Sequence, residues 1–71
     1  MEINSRQYAA AQAGRFSVQC NAYENEEIIL NMLTARGRRF VPVGRVSEVR
    51  ALGFGRCLVR AERLEHVEGI Y

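Results

Sequence analysis

The sequence predicts an α+β fold in which one main helix packs on a three- to four-stranded antiparallel or mixed sheet, in the order β-α-β-β-β. Residues 25–37 space their apolar side chains as an amphipathic helix does, between a start and a stop signal. Residues 15–22 alternate apolar and polar side chains, and residues 38–64 add further apolar stretches separated by glycines. This order of elements places the helix across one face of the sheet.

Residues 1–14 are weakly specified. Asn4 or Ser5 can cap a short additional helix that runs through Tyr8 and stops at Gly14. The alanines between them favour a helix but supply little apolar surface for packing. The segment is therefore predicted either as a short N-terminal helix or as a mobile arm that becomes ordered on a partner.

Residues 15–22 are predicted as the first strand, with Phe16, Val18 and Cys20 on its inward face. Clean alternation of this kind is typical of a sheet that is covered on one side only.

Residues 25–37 are predicted as the main helix. Asn25 can accept a hydrogen bond from a first-turn N–H group, and Glu26 and Glu27 place negative charge near the helix N-terminus. Leu33 belongs to a wide apolar stripe along this helix, which needs burial. Gly37 then supplies the left-handed residue that commonly ends a helix.

Three more strands are predicted, over residues 38–46, 47–52 and 56–64. Pro42 cannot donate to a strand ladder, so the first of these is expected at a sheet edge or beside a bulge, with Gly44 as a natural bulge residue. Residues 53–55 are predicted as a turn, where Phe54 lies between two glycines.

The predicted core collects the inward positions of these elements. Its members are Phe16, Val18, Cys20, Ile29, Met32, Leu33, Val41, Val43, Val49 and Val59. A second apolar set does not fit under one helix, and it consists of Phe40, Phe54, Leu58, Leu64, Ile70 and Tyr71. A patch of that size is uncommon on a monomer, so the second sheet face or an edge is predicted to contact another chain.

Length and composition restrict the classes of protein. A chain of 71 residues is expected to form a single small domain, 1–71, with a marginal core. Its ten basic residues are all Arg, its eight acidic residues are all Glu, and a net charge of +2 alone does not imply a polyanion partner. Cys20 and Cys57 are predicted as buried thiols rather than a disulfide. The absence of a leader or an apolar span predicts a cytoplasmic protein without membrane contact.

The densest charged cluster is the ARGRRF run, which contains Arg36, Arg38 and Arg39. Such guanidinium groups can bind an acidic protein surface or phosphates, or they can simply be solvated and paired with Glu. All three interpretations stay open at this point. The GFGR turn lacks the lysine and the following helix of a phosphate-binding loop, so it is interpreted as a hairpin turn.

The main hypothesis is a small non-enzymatic protein-interaction module that binds a larger protein assembly or forms a homo-oligomer such as a homodimer. Accessory and inhibitor proteins of phages and other mobile elements share this size and composition. The alternative hypothesis is DNA or RNA binding through the same arginines. The predicted partner-binding residues are Arg36, Arg38, Arg39, Phe40, Arg45, Phe54, Arg56 and Leu58. No enzyme, cofactor, metal or small-molecule substrate is predicted.

Overall fold

The computed structural model describes residues 1–67, so Ile70 and Tyr71 of the second predicted apolar set lie outside the described residues. The elements are β1 (Glu2–Ile3), α1 (Ser5–Ala13), β2 (Arg15–Val18), β3 (Glu27–Thr34), β4 (Gly37–Gly53) and β5 (Arg56–Glu62). The strands form one five-stranded sheet in the order β1-β3-β4-β5-β2. β1 runs parallel to β3, and the other neighbouring strands are antiparallel. The α+β class with a mixed sheet is confirmed, although the sheet has more strands than predicted.

The helix of the described residues lies near the N-terminus, not in the middle of the chain. Asn4 caps α1 in a full capping box: its side chain accepts from the Gln7 backbone N–H at 2.8 Å, and the Gln7 side chain accepts from the Asn4 N–H at 3.0 Å. Gly14 ends the helix at a φ of 143°. The predicted short N-terminal helix is therefore present, whereas mobility of residues 1–14 stays a prediction.

The prediction of a main helix over residues 25–37 is wrong, because residues 27–34 form strand β3. Asn25 adopts a φ of +66°, which is not the extended conformation of an N-cap residue. Ile28 and Leu30 point into the core with Met32, so the segment has a strand period of two that its outward apolar residues obscured. Gly37, interpreted above as a helix stop, lies instead at the start of β4 with a φ of +108°.

β4 joins two predicted strands into one strand of 17 residues. It pairs with β3 up to Arg45 and with β5 only from Arg45 onward, so Pro42 lies where β4 has a partner strand on one side only, as predicted. The register also shifts between Ile28 and Ile29, which pair with Gly44 and Pro42, and this bulge leaves Val43 without a direct partner on β3. The other strand predictions hold in part: the first strand ends at Val18 rather than at residue 22, and the last ends before residue 64.

The core lies between α1 and the inner face of the curled sheet. Its members are Ile3, Tyr8, Ala11, Phe16, Val18, Ala22, Ile28, Leu30, Met32, Val43, Val46, Cys57 and Val59. Two predicted core residues are exposed: Cys20 because β2 has already ended, and Leu33 because it points to the outer face. Ile29, Val41 and Val49 are half-buried.

The molecule is more elongated than its length requires. The Cα radius of gyration is 11.8 Å and the principal extents are 37 × 23 × 18 Å. A compact chain of this length would have a radius of about 11 Å. The β3–β4 and β4–β5 hairpins, the two antiparallel pairs that share the long strand β4, account for this extension.

Candidate functional site

The β3–β4 hairpin carries the densest basic cluster at its turn. Thr34 pairs with Gly37, and the Thr34 hydroxyl donates to the Gly37 carbonyl at 2.8 Å and accepts from the Arg36 N–H at 3.2 Å. Arg36 and Arg38 line a shallow groove of about 410 Å³ with Thr34, Ala35 and Arg39. The turn therefore presents three arginines close together, as the ARGRRF run predicts, but between two strands rather than after a helix.

The outer face of β1, β3 and β4 forms a second feature, which we call the β3–β4 face. Directly opposed residues on neighbouring strands point to the same side of a sheet. Because the even-numbered residues of β3 point inward, the odd-numbered ones share the outer side with their partners. We define this face as the outer-side residues on the turn side of the β3–β4 bulge, beyond which Glu27 and Arg45 continue the same side; its members are Glu2, Ile29, Asn31, Leu33, Arg38, Phe40 and Pro42. Its most exposed apolar residues are Leu33, at 67%, and Phe40, at 57%.

Hydrogen bonds connect the polar residues of the β3–β4 face. The Asn31 side chain donates from Nδ2 to Glu2 Oε1 at 2.7 Å, and it accepts at Oδ1 from Arg38 Nη1 at 3.4 Å. Neither Glu2 nor Arg38 forms an ion pair with residues 1–67. Both charges therefore remain available to a partner on this side of the sheet.

The end of the β4–β5 hairpin is the third feature, which we call the β4–β5 tip: Arg50, Leu52, Phe54 and Arg56. Phe54 is fully exposed, at 106% of its reference area, and Leu52 is 49% exposed. Gly53 pairs with Arg56, so Phe54 and Gly55 are the two central residues of the turn. Both have positive φ, 54° and 73°, which is the type I′ geometry of tight hairpins.

Arg45 and Leu58 contribute to the fold more than to an exposed patch. Arg45 donates from Nη1 to the Asn25 carbonyl at 2.9 Å, and it lies between Glu27 and Glu62 on the outer side of the sheet. Leu58 is half-buried and pairs with Arg50 on β4 and with Ser17 on β2. Arg45 and Leu58 are thus connected to the other predicted binding residues only by lying on the same strands, β4 and β5.

The eight predicted binding residues do not form one patch. Arg36, Arg38, Arg39 and Phe40 lie at the beginning of β4 or in the turn before it, whereas Phe54 and Arg56 lie beyond its other end. The 14 residues from Phe40 to Phe54 would span about 46 Å if straight. The bulges bend the strand, but the two groups still lie at opposite ends of β4.

Sequence reasoning missed several exposed residues of these surfaces. Leu52 and Tyr23 were not singled out, and Leu33 was assigned to the core. Glu2 and Asn31 belong to the β3–β4 face only because β1 pairs with residues of β3 that are 27 positions further along the chain, which no local pattern reveals. The GFG turn did provide a usable signal for Phe54, since two flanking glycines leave an aromatic residue with little to pack against.

No protein-family model, curated protein or solved structure matches this chain. Within residues 1–67, no three His, Cys, Asp or Glu side chains are grouped so that they could hold a metal ion. The same part of the chain contains no helix with the length and apolar character needed to cross a membrane.

Proposed function

We propose that this chain is a small non-enzymatic protein-interaction module of the accessory or inhibitor type. It binds a larger protein assembly, or copies of itself, through the β4–β5 tip and the β3–β4 face. The observation that carries the proposal is Phe54, an aromatic side chain that is fully exposed at the end of a hairpin and held in a left-handed backbone conformation.

Phe54 gives the fold no visible benefit. Its side chain buries nothing, and a non-glycine residue in the left-handed region costs about 1–2 kcal/mol. Asn or Asp before Gly55 would suit this turn better, since Asn-Gly is the preferred type I′ pair. A strained residue without an internal role suggests a role in contact with another molecule.

The charges beside Phe54 indicate the chemistry of that molecule. Arg50 and Arg56 flank the turn on the outer side of the sheet, and neither is ion-paired with residues 1–67. Aromatic and arginine side chains are the residue types that most often dominate binding energy at protein interfaces. The β4–β5 tip is convex, so its partner offers an apolar pocket with carboxylates at the rim.

Partner binding is tested with matched substitutions of exposed aromatic residues. Tagged wild-type, Phe54→Asn and Tyr23→Asn chains are incubated with lysate of the source organism, and the retained proteins are quantified by mass spectrometry. Tyr23 serves as the control because it is 65% exposed but lies on the loop between β2 and β3. Each protein lost only with Phe54→Asn is purified and titrated by calorimetry.

We expect Phe54→Asn to weaken such a complex by about 30-fold or more, as truncation of an anchor residue does, while Tyr23→Asn leaves it unchanged. A purified partner that binds wild type and Phe54→Asn equally well would remove the β4–β5 tip from the proposal. If Phe40→Ser also has no effect on that complex, the binding function proposed for both surfaces fails.

A second candidate function is nucleic-acid binding, which the arginine-lined groove at the β3–β4 turn favours. Arg36, Arg38 and Arg39 line this groove, with Arg38 on the outer side of the sheet and Arg39 on the other, and none of them is ion-paired with residues 1–67. Three phosphate contacts would reduce duplex affinity by roughly 40-fold between 50 and 200 mM salt. Fluorescence anisotropy with a 20-base-pair duplex and a single-stranded RNA tests this, and unchanged anisotropy at 20 mM salt rejects it.

A further inference from the structure

We infer that the β3–β4 face is a self-association surface, on which two copies meet front to front about a twofold axis with Glu2 of each opposite Arg38 of the other. This inference rests on the proposed function, because it names the occupant of one of the two proposed binding surfaces. The β4–β5 tip remains free for a different molecule.

The first argument is the composition of the face. Ile29, Leu33, Phe40 and Pro42 form its apolar part, and the charged groups of Glu2 and Arg38 reach to Asn31 between them. Protein–protein interfaces combine apolar side chains with a small number of polar and charged groups in this way. By contrast, the outer side of the β4–β5 hairpin places Arg60 opposite Glu48, which is typical of a solvated sheet face.

The second argument is the position of the charges. Glu2 lies on β1 beside Ile29, and Arg38 lies on β4 beside Leu33. Asn31 is between them on β3 and is hydrogen-bonded to both, at 2.7 and 3.4 Å. The backbone positions of Glu2 and Arg38 are therefore at opposite corners of the face, while their charged groups approach each other along the diagonal, on either side of the Asn31 amide.

The third argument is symmetry. When two copies of a face meet, the twofold axis lies in the plane of contact, and each residue meets the image of another. A twofold axis perpendicular to the Glu2–Arg38 diagonal places Glu2 of each copy over Arg38 of the other, so both ion pairs form at once. The same rotation places Phe40 over Ile29 of the other copy. An axis parallel to the strands would instead place Glu2 over Pro42, without charge complementarity.

This geometry predicts how the two sheets cross. The twofold rotation that places Glu2 over Arg38 also makes β3 of one copy run approximately perpendicular to β3 of the other. Orthogonal crossing is one of the two common ways in which sheets pack face to face. The charge pattern thus selects orthogonal packing over aligned packing.

The size of the face predicts a weak dimer. Between Cα positions it measures roughly 13 Å along the strands and roughly 10 Å across them. This is well below the area of about 800 Å² per partner that stable complexes bury. We therefore expect weak association that depends strongly on protein concentration.

A second copy fits the face better than the other occupants. A partner of uniformly acidic character would meet Arg38 favourably but would be repelled by Glu2. A nucleic acid would meet the same repulsion from its phosphates. A surface with one charge of each sign at the same spacing satisfies both Glu2 and Arg38, and a second copy of the chain provides such a surface.

Sedimentation equilibrium tests the inference, from 20 µM to 1 mM protein at 50 mM salt. Glu2→Arg places like positive charges at both contacts of the dimer, and Arg38→Glu places like negative charges there. Each variant alone should associate at least tenfold more weakly than wild type. An equimolar mixture of the two should recover wild-type affinity within about threefold, because every contact in the mixed dimer is again attractive.

A matched mixture controls for net charge. Arg50→Glu changes the charge by the same amount as Arg38→Glu but lies on the other hairpin. Arg50→Glu alone should therefore associate as wild type does, and it should not form mixed dimers of that affinity with Glu2→Arg, because one of the two contacts stays repulsive. Phe40→Ser should weaken the wild-type dimer at least tenfold, and Phe54→Ser should leave it unchanged. Thermal unfolding of each variant verifies that it is folded.

Two results would overturn the inference: a monomeric wild-type chain at 1 mM, or a dimer whose affinity the Glu2→Arg and Arg38→Glu mixture does not recover. In the first case a foreign protein is the occupant of the face. Neither result affects a complex that depends on Phe54, so failure of self-association and failure of the proposed function are distinguishable.

Discussion

The two hairpins share β4 but present their apolar side chains in different ways. In the β3–β4 hairpin, Leu33 and Phe40 lie on the flat outer side of paired strands, behind the turn. In the β4–β5 hairpin, Phe54 is in the turn itself and projects beyond the last strand pair. A flat face suits another flat face, whereas a projecting aromatic side chain suits a pocket.

The turns explain the difference. The β3–β4 turn has Ala35 and Arg36 at its centre, both with negative φ, and the left-handed residue follows as Gly37. A type I turn followed by a glycine bulge of this kind places Arg36, and no apolar side chain larger than Ala35, at its centre. The β4–β5 turn takes the type I′ form, whose two left-handed central residues put Phe54 at the end of the molecule.

The largest predicted effect concerns the two sides of β3. Leu30 is fully buried and Leu33 is exposed, although a helix over residues 25–37 would bury Leu33. Leu30→Ala should lower the free energy of unfolding by about 2–5 kcal/mol, because it leaves a cavity in the core. Leu33→Ala should lower it by less than about 0.5 kcal/mol. Urea unfolding of both variants gives the comparison, and equal losses would contradict the strand assignment.

This segment also shows where prediction from sequence fails. Ile28 and Leu30 alternate with Ile29 as a strand requires, but apolar residues on both sides of β3 also satisfy helical spacing. In the structure Glu27 lies opposite Arg45 on the neighbouring strand. In the sequence alone, the same residue resembles the negative charge expected in the first turn of a helix. The outer apolar residues belong to the candidate interaction surface, so the function of the segment obscures its secondary structure.

Local signals succeeded where the structure is local. Asn4 begins α1 and Gly14 ends it, as their residue types predict. The two glycines of the GFG turn likewise predict its position. The alignment of Glu2 with Arg38 depends instead on strand pairing between distant segments, which a single sequence does not encode locally. The Arg and Phe residues of the site could therefore be identified, but not their division between two ends of β4.

The second prediction compares the second central residue of each turn. Gly55 has a φ of +73°, and the space that a β-carbon would enter there is open, while Arg36 has a negative φ. Gly55→Ala should therefore cost about 1–2 kcal/mol from backbone conformation alone. Arg36→Ala should change stability by less than about 0.5 kcal/mol. Similar losses in the two variants, measured by urea unfolding, would show that the turns do not differ in type.

The third prediction reverses the usual sign of a substitution. Phe54→Asn creates the Asn-Gly pair preferred in type I′ turns and removes an exposed aromatic side chain, so it should raise the free energy of unfolding by about 0.5–1 kcal/mol. Phe40→Asn places the same residue in an extended strand, where it should lower stability by about 0.5 kcal/mol. Thermal and urea unfolding measure both changes. A destabilised Phe54→Asn chain would mean that Phe54 packs within its own fold.

The smallest effect is expected on the outer side of the β4–β5 hairpin. Arg15 Nη2 and Glu48 Oε2 are 3.7 Å apart, and both side chains are about half-exposed, at 46% and 49%. Solvent and salt screen such a pair, so Glu48→Gln should change the free energy of unfolding by less than about 0.5 kcal/mol, and by still less at 1 M salt. A loss of more than about 1 kcal/mol in the free energy of unfolding would mean that this ion pair stabilises the fold by connecting β2 to β4. The expected small loss would leave this side of the sheet as a solvated surface, so that binding by the β4–β5 hairpin resides in its tip.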